Sequence, residues 1–299
     1  MSGGQSVAAQ GIINLPELEA AKILPAIVMK RLVAYLILAL WVAPCALAQN
    51  SSLTVATTTS VEDSGLFAFL LPKFESRTGM KVRVLSRGSS AVLTAGERGE
   101  ADVVIVNDSE VLDRFVRSGN GVRRHALMYN DFVIAGPPSD PAGIAGSKDA
   151  PTALRTIARL RAAFISRGDG SGTHAAERRL WLAAGVDPKA RSGDWYREAG
   201  MGMGATVEMA GRLGAYVLTD RATWHAHRAG DQRVLVEGDA RLFDQYEVAM
   251  ANPARHAAMD AAAAAVFIDW LVSDEGQGSI AAFHIDGHQA FAPNGKPLN

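Results

Sequence analysis

The residues of this chain that could do chemistry are hydroxyls, glycines and arginines gathered where apolar runs give way to helical patterns. The densest gathering is Ser166-Arg167-Gly168-Asp169-Gly170-Ser171-Gly172-Thr173-His174. Glycines let backbone amides approach a ligand closely, and amides at the start of a helix form a cradle for an anion. The stretch lacks the Gly-Lys-Ser/Thr ending of a phosphate-binding loop, which argues against a nucleotide. Asp169, Ser171 and His174 are the residue types of a hydrolase triad. Triad members come from separate elements, however, and Gly170-Ser171-Gly172 does not have the Gly-x-Ser-x-Gly spacing of a nucleophile elbow. An exported hydrolase is thus the alternative to a binding site, not the main reading.

Four further junctions have the same character. Thr57-Thr58-Thr59-Ser60 closes a β-branched run, and Ser86-Arg87-Gly88-Ser89-Ser90 closes another, with Ser89 as its binding candidate. Gly200-Met201-Gly202-Met203-Gly204-Ala205-Thr206 opens a helix, and Tyr216-Val217-Leu218-Thr219-Asp220-Arg221 passes from strand to helix. Each has a plain structural explanation: threonine favours strands, Ser60, Asp63, Ser89 and Asp220 suit helix N-caps, and Arg221 suits a surface ion pair. Taken together, they place donors beyond the carboxyl ends of several strands, and a small anion held in an interdomain cleft satisfies them all. The set is donors throughout; Asp63, Asp169 and Asp220 are the acceptors that would alter it by turning inward.

The elements that must position these residues follow a βαβ rhythm. Leu53–Thr59, Lys81–Leu85 and Ala101–Val106 read as strands, with helices over Gly65–Arg77, Ala91–Arg98 and Ser109–Ser118. A strand at Asp131–Ala135 ends in Gly136-Pro137-Pro138. A second set follows: helix Thr152–Ala163, strand Ala163–Ser166, helix Gly172–Ala184, helix Ala205–Leu213, strand Ala215–Thr219 and a helix from Asp220. Leu242–Met250 is extended, and the Ala-rich His256–Val272 stretch and a helix from Asp274 close the chain. The expectation is an α/β protein of two lobes, each a mainly parallel sheet flanked by helices. Lobe I takes residues 49–133 and 245–299, and lobe II is inserted over residues 134–244.

Composition narrows the function classes. Lys plus Arg number 30 against 31 Asp plus Glu, so no strongly basic nucleic-acid footprint exists at whole-chain level. A single cysteine excludes a disulfide framework and a Cys-rich metal site, and the 7 histidines show no HExxH, so neither a cofactor nor a cation ligand set is expected. At the N-terminus, Met29-Lys30-Arg31, the apolar run Leu32–Ala43 and Ala46-Leu47-Ala48 have the three parts of a secretory signal peptide. Cleavage after Ala48 would release a cysteine-free chain to the periplasm. Residues 1–28 then lie upstream of the signal, which suggests translation from Met29. Pro44 before Cys45 argues against a lipoprotein.

With those residues in view, the chain resembles the TupA-like family, the substrate-binding components of ABC-type tungstate uptake systems. The resemblance is carried by Thr57-Thr58-Thr59-Ser60 with Gly65-Leu66, and by Gly99-Glu100-Ala101-Asp102-Val103. Met128-Tyr129-Asn130-Asp131-Phe132-Val133 with Gly136-Pro137, the Ser166–His174 segment and Met203-Gly204-Ala205-Thr206 continue it. Tyr216–Arg221 and Tyr246 with Asn252-Pro253 extend it over essentially the whole mature chain. The resemblance implies a periplasmic two-lobed binding protein of type II-like fold, acting as a monomer with a membrane permease subunit and no catalysis. It implies tungstate as ligand, molybdate next, held by Thr58, Thr59, Ser60, Arg167, Ser171, Gly172 and Thr173, with Thr206. Ser89 joins them from the residue reading; Arg87-Gly88-Ser89-Ser90 departs from the Gly-Thr-Gly-like turn that such proteins often show there, which leaves the donor at that turn open and would let Arg87 add a second positive charge nearby. Sulfate or phosphate remains the alternative ligand.

Overall fold

A computed structural model describes residues 52–298. The signal-peptide reading, the Met29 start and the cleavage site lie outside the described residues. In chain order the first elements are β1 (Ser52–Thr58), α1 (Thr59–Asp63), α2 (Leu66–Thr78), β2 (Lys81–Arg87), α3 (Ser89–Glu97), β3 (Val103–Val106), α4 (Ser109–Arg117) and β4 (Gly121–Gly136). Then come α5 (Ala150–Leu160), β5 (Phe164–Ser166), α6 (Gly172–Ala183), β6 (Tyr196–Glu198), α7 (Met203–Arg212), β7 (Tyr216–Asp220), α8 (Arg221–His227) and β8 (Arg233–Val236). The chain ends with β9 (Phe243–Ala251), α9 (Ala261–Val272), α10 (Asp274–Ala281), β10 (His284–Ile285), β11 (His288–Gln289) and β12 (Ala292–Pro297).

Apart from a separate antiparallel pair of β10 and β11, the strands build two sheets that share β4. In the first, β2, β1 and β3 pair in parallel, β9 runs antiparallel between β3 and the first half of β4, and β12 borders β4. In the second, β6, β5 and β7 pair in parallel, and the last residues of β4 lie antiparallel between β7 and β8. Both sheets are therefore mixed: their parallel strands carry the βαβ units, and their antiparallel strands lie where the chain crosses between lobes. The strand expected at Asp131–Ala135 is only the end of a strand of 16 residues. Its first half escapes a periodicity reading because Arg123 takes a positive φ, the register against β9 shifts, and Arg124 is drawn inward by Glu247. The short strands β6, β8 and β10–β12 have no counterpart in the sequence reading.

Helices cover both faces of each sheet, as apolar runs in parallel strands require. On the first sheet, Phe67, Leu70 and Phe74 of α2 pack with Phe267, Ile268 and Leu271 of α9. Val92 and Leu93 of α3 and Leu112 and Phe115 of α4 fill the other face. On the second, Leu154 and Ile157 of α5 meet Leu180 and Trp181 of α6 on one face, and Met203, Val207 and Ala210 of α7 fill the other. These four clusters leave the carboxyl ends of β1, β2, β3, β5 and β7 free to carry polar residues toward the junction of the sheets.

Candidate functional site

Four of the five loops that the sequence reading singled out lie at such a carboxyl end, and the fifth, residues 200–206, follows β6. Thr58 ends β1 and caps α1 without a side-chain cap bond, and Gly88 precedes α3, which opens at Ser89. Ser166 ends β5, and Ser171 is the N-cap of α6, accepting the His174 N–H at 3.3 Å. Asp220 ends β7 and caps α8 by accepting the Thr223 N–H at 2.8 Å. The cap roles are real, and the charged and hydroxyl groups beside them do more.

Arg167 is the centre of the arrangement. Its side chain leaves the second sheet, is only 2% exposed, and donates from Nη2 to Thr59 Oγ1 of the first lobe at 2.9 Å. The same nitrogen pairs with Asp169 Oδ2 at 2.6 Å, while Nε donates to the Met201 carbonyl at 3.3 Å. Asp169 Oδ1 also accepts the Ser171 N–H at 3.0 Å, so one carboxylate fixes both the guanidinium and the turn. The arginine's own bonds use Nε and Nη2 and leave the two Nη1 donors of this buried side chain for a second anion.

The lobes also meet at two other places. The Gly172 N–H donates to Ser89 Oγ at 3.0 Å, and Ser90 Oγ donates to the Gly170 carbonyl at 3.3 Å. A Cβ on Gly172 would fall 2.2 Å from Asn107 Oδ1, so only glycine permits this approach. On the other side of α1, Asp63 Oδ2 accepts the Gly204 N–H at 2.9 Å, and His227 Nε2 lies 2.9 Å from the Asp63 carbonyl. Two of the three suspected inward acceptors are thereby accounted for: Asp63 and Asp169 spend their oxygens on the opposite lobe and on Arg167.

Between these links lies a set of buried hydroxyls without partners. Thr58 Oγ1, Ser60 Oγ and Thr173 Oγ1 have no hydrogen bond, as have Ser166 Oγ and Thr223 Oγ1 nearby in sequence to the site loops. Leaving buried polar groups unpaired costs about 1–3 kcal/mol each, so a cluster of them marks a place built for a polar ligand. Thr206 differs: its hydroxyl donates to the Gly202 carbonyl at 2.8 Å within its own helix. Thr59 likewise is engaged by Arg167 and by the Met203 N–H at 3.4 Å.

Residues that the sequence reading passed over complete the surroundings. Asn107, at the end of β3, donates to both oxygens of Asp244 on β9, and Tyr246 OH is buried without a partner. The position of Asn107, just beyond a buried strand and just before a helix, matches that of Thr58 and Ser89 and was a usable signal. Behind the Arg167 loop, Glu177 of α6 is buried and accepts from Trp181 Nε1 at 3.0 Å and Tyr196 OH at 2.9 Å. Burial pushes its carboxyl from 4.5 up to about 7, against the lowering effect of those bonds. Among the described residues no group of three or more His, Cys, Asp and Glu is arranged to hold a metal cation.

Comparisons with known proteins identify the family of the chain. The family model of the PBP superfamily domain matches residues 45–275. The tungstate-binding protein TupA of Peptoclostridium acidaminophilum is 37% identical over 286 residues, covering 89% of this chain and 99% of that one. The crystal structure of the tungstate ABC transporter from Geobacter sulfurreducens is 45% identical with a TM-score of 0.71, covering 78% of this chain and 99% of that chain. The tungstate-binding protein TupA from Desulfovibrio alaskensis G20 is 37% identical with a TM-score of 0.69, covering 82% and 99%. The chain belongs to the PBP superfamily and, within it, to the family of the TupA tungstate-binding proteins.

Proposed function

We propose that this chain binds tungstate outside the cytoplasm, with molybdate as the next-best ligand, and delivers it to the membrane permease of an ABC transporter. The observation that carries this reading is Arg167, buried and bonded across the cleft to Thr59 amid unpartnered hydroxyls. Tungstate is a bare tetrahedral dianion that needs donors only. Hydroxyls of Thr58, Ser60 and Thr173 and the Nη1 end of the Arg167 fork supply that chemistry, beside the Ser171 and Gly172 amides that Asp169 and Ser89 hold in place. Thr59 and Ser89 position the fork and the Gly172 amide, and Thr206 steadies the start of α7. Capture without turnover is the reading favoured for the cleft, since Asp169 and His174 are occupied in shaping the loop: Asp169 holds Arg167, and His174 Nδ1 accepts the Gly170 N–H at 2.9 Å.

The working form in this reading is a periplasmic monomer released by cleavage after Ala48. Its lobes divide near residues 133–134 and 244–245, where β4 and β9 cross. Among the described residues no helix is long and apolar enough to cross a membrane. The test is calorimetric titration of residues 49–299 with tungstate, molybdate, sulfate and phosphate. Saturable binding of tungstate, with sulfate and phosphate weaker by at least about tenfold, or about 1.4 kcal/mol, is expected. A clear preference for sulfate or phosphate would overturn the assignment.

A further inference from the structure

The floor of the cleft carries two carboxyls, which is unexpected beneath a site for an anion. They arise from the strand crossing. On β4, Asn130 is the Cα partner of Asp244 on β9, and Phe132 is the partner of Asp220 on β7. Residues two apart on a strand, and residues directly paired across a ladder, point to the same face. Asp244, Asn130 and Asp220 therefore line up side by side across three strands, at the point where the two sheets share β4.

Both acids are buried, at 1% and 0% exposure, and no Lys or Arg pairs with either among the described residues. Asp244 accepts from Asn107 Nδ2 on both oxygens, at 3.1 and 3.4 Å. Asp220 Oδ1 accepts from Thr223 N–H and from Asn130 Nδ2 at 3.4 Å. Of the pair's four oxygens, only Asp220 Oδ2 has no partner. Ser60, a proposed ligand donor with its own hydroxyl unpartnered, faces Asp220 and Tyr246. The other titratable groups facing the pair are Tyr246 and Asp131, and Asp131 is already matched by a two-pronged bond from Arg221.

Resting on the reading above, we propose that tungstate binding is coupled to uptake of a proton from solvent by the Asp220–Asp244 pair, with Asp220 Oδ2 the atom that receives it. A dianion placed beside an ionised Oδ2 meets like charge in a medium where charge is poorly screened. Once protonated, the same oxygen becomes an O–H donor beside Ser60, and the floor matches the rest of the cleft. Burial raises both carboxyls above the ordinary range, and Asp244 also lies in the field of Asp220, so the pair takes up a proton more readily than free carboxyls do.

Titration of residues 49–299 with sodium tungstate at mildly alkaline pH, in two buffers of different ionisation enthalpy, tests this. The observed heat is expected to differ between buffers by an amount corresponding to net proton uptake, up to about one proton per tungstate. Affinity then falls as pH rises, by up to about tenfold per pH unit. Asp220→Asn keeps a helix-capping side chain and a neutral floor. It is expected to abolish the buffer dependence and flatten the pH profile, and Asp244→Asn to reduce both. Tight tungstate binding with identical heats in both buffers, or uptake that persists undiminished in both variants, overturns the coupling and leaves the functional reading standing. Failure of the wild-type chain to bind tungstate in either buffer overturns the functional reading and the coupling with it.

Discussion

Arg167 concentrates the electrostatics of the site in one side chain. Neutral hydrogen bonds contribute only ~0.5–1.5 kcal/mol each, so a dehydrated dianion needs formal positive charge nearby. The pairing with Asp169 offsets part of that charge and also holds the guanidinium plane in place. Replacing Arg167 by alanine should weaken tungstate binding by about 2–5 kcal/mol, as for one partner of a buried charge pair. Arg167→Lys should recover little, because a point charge cannot reproduce bonds to Thr59, Asp169 and an oxyanion at once. Wild-type affinity in both variants, measured by titration, would make the arginine purely structural. Glu177 gives a second test at this scale. Its carboxyl is held near 7 in the folded chain against 4.5 when free, so the stability it contributes is fully present below 4.5 and lost as pH rises through about 7. Glu177→Gln should therefore leave the unfolding midpoint unchanged in acid and add about 1–3 kcal/mol in mildly alkaline buffer. Equal stabilisation at both pH values would show that charge is not the cause. The loop of Arg167, Ser171 and Gly172 was legible as a candidate in the sequence because glycine density beside an arginine has few other uses. Asn107 carried the signal of its place just beyond a buried strand, whereas Asp244 carried none, because its role comes from strands far apart in the chain that meet only through the sheet order.

At the level of elements, the site depends on how closely the start of α6 approaches the end of β3. Gly172 takes an ordinary backbone conformation, so alanine there meets no dihedral strain, only the Asn107 side chain. Since that contact forms only when the lobes meet, Gly172→Ala should penalise the closed form by about 1–3 kcal/mol, the usual cost of overpacking. Tungstate affinity should fall accordingly, by roughly 5- to 150-fold, while the unfolding midpoint without ligand stays near that of the wild type. An affinity unchanged by the added methyl would mean that the lobes need not approach this closely. The longer helices and the parallel strands β1, β2, β3, β5 and β7 were read with ends within a few residues, because their apolar faces repeat cleanly, whereas the short α1 and β6 were not read at all. The long β4 was legible only in its last residues. Arg124 and His125 broke the alternation, and their placement depends on Glu247 and the shifted register with β9.

Across the whole molecule, the architecture explains why donors from distant sequence converge. Two mixed sheets share one strand, their parallel strands point carboxyl ends at the junction, and hydrogen bonds from Arg167 to Thr59, Gly172 to Ser89 and Gly204 to Asp63 run from one lobe to the other. The two-lobed class was legible from the βαβ order and from the resemblance, since both depend on local pattern. The direct bonds between lobes were not, because no periodicity records how two domains approach. These few polar links are weak singly, so an ion bonded to both sides should shift an open–closed equilibrium toward the closed form. Small-angle scattering of residues 49–299, with and without saturating tungstate, measures that shift directly. A smaller radius of gyration with tungstate is the expected result; identical dimensions at full occupancy would contradict a ligand clamped between the lobes.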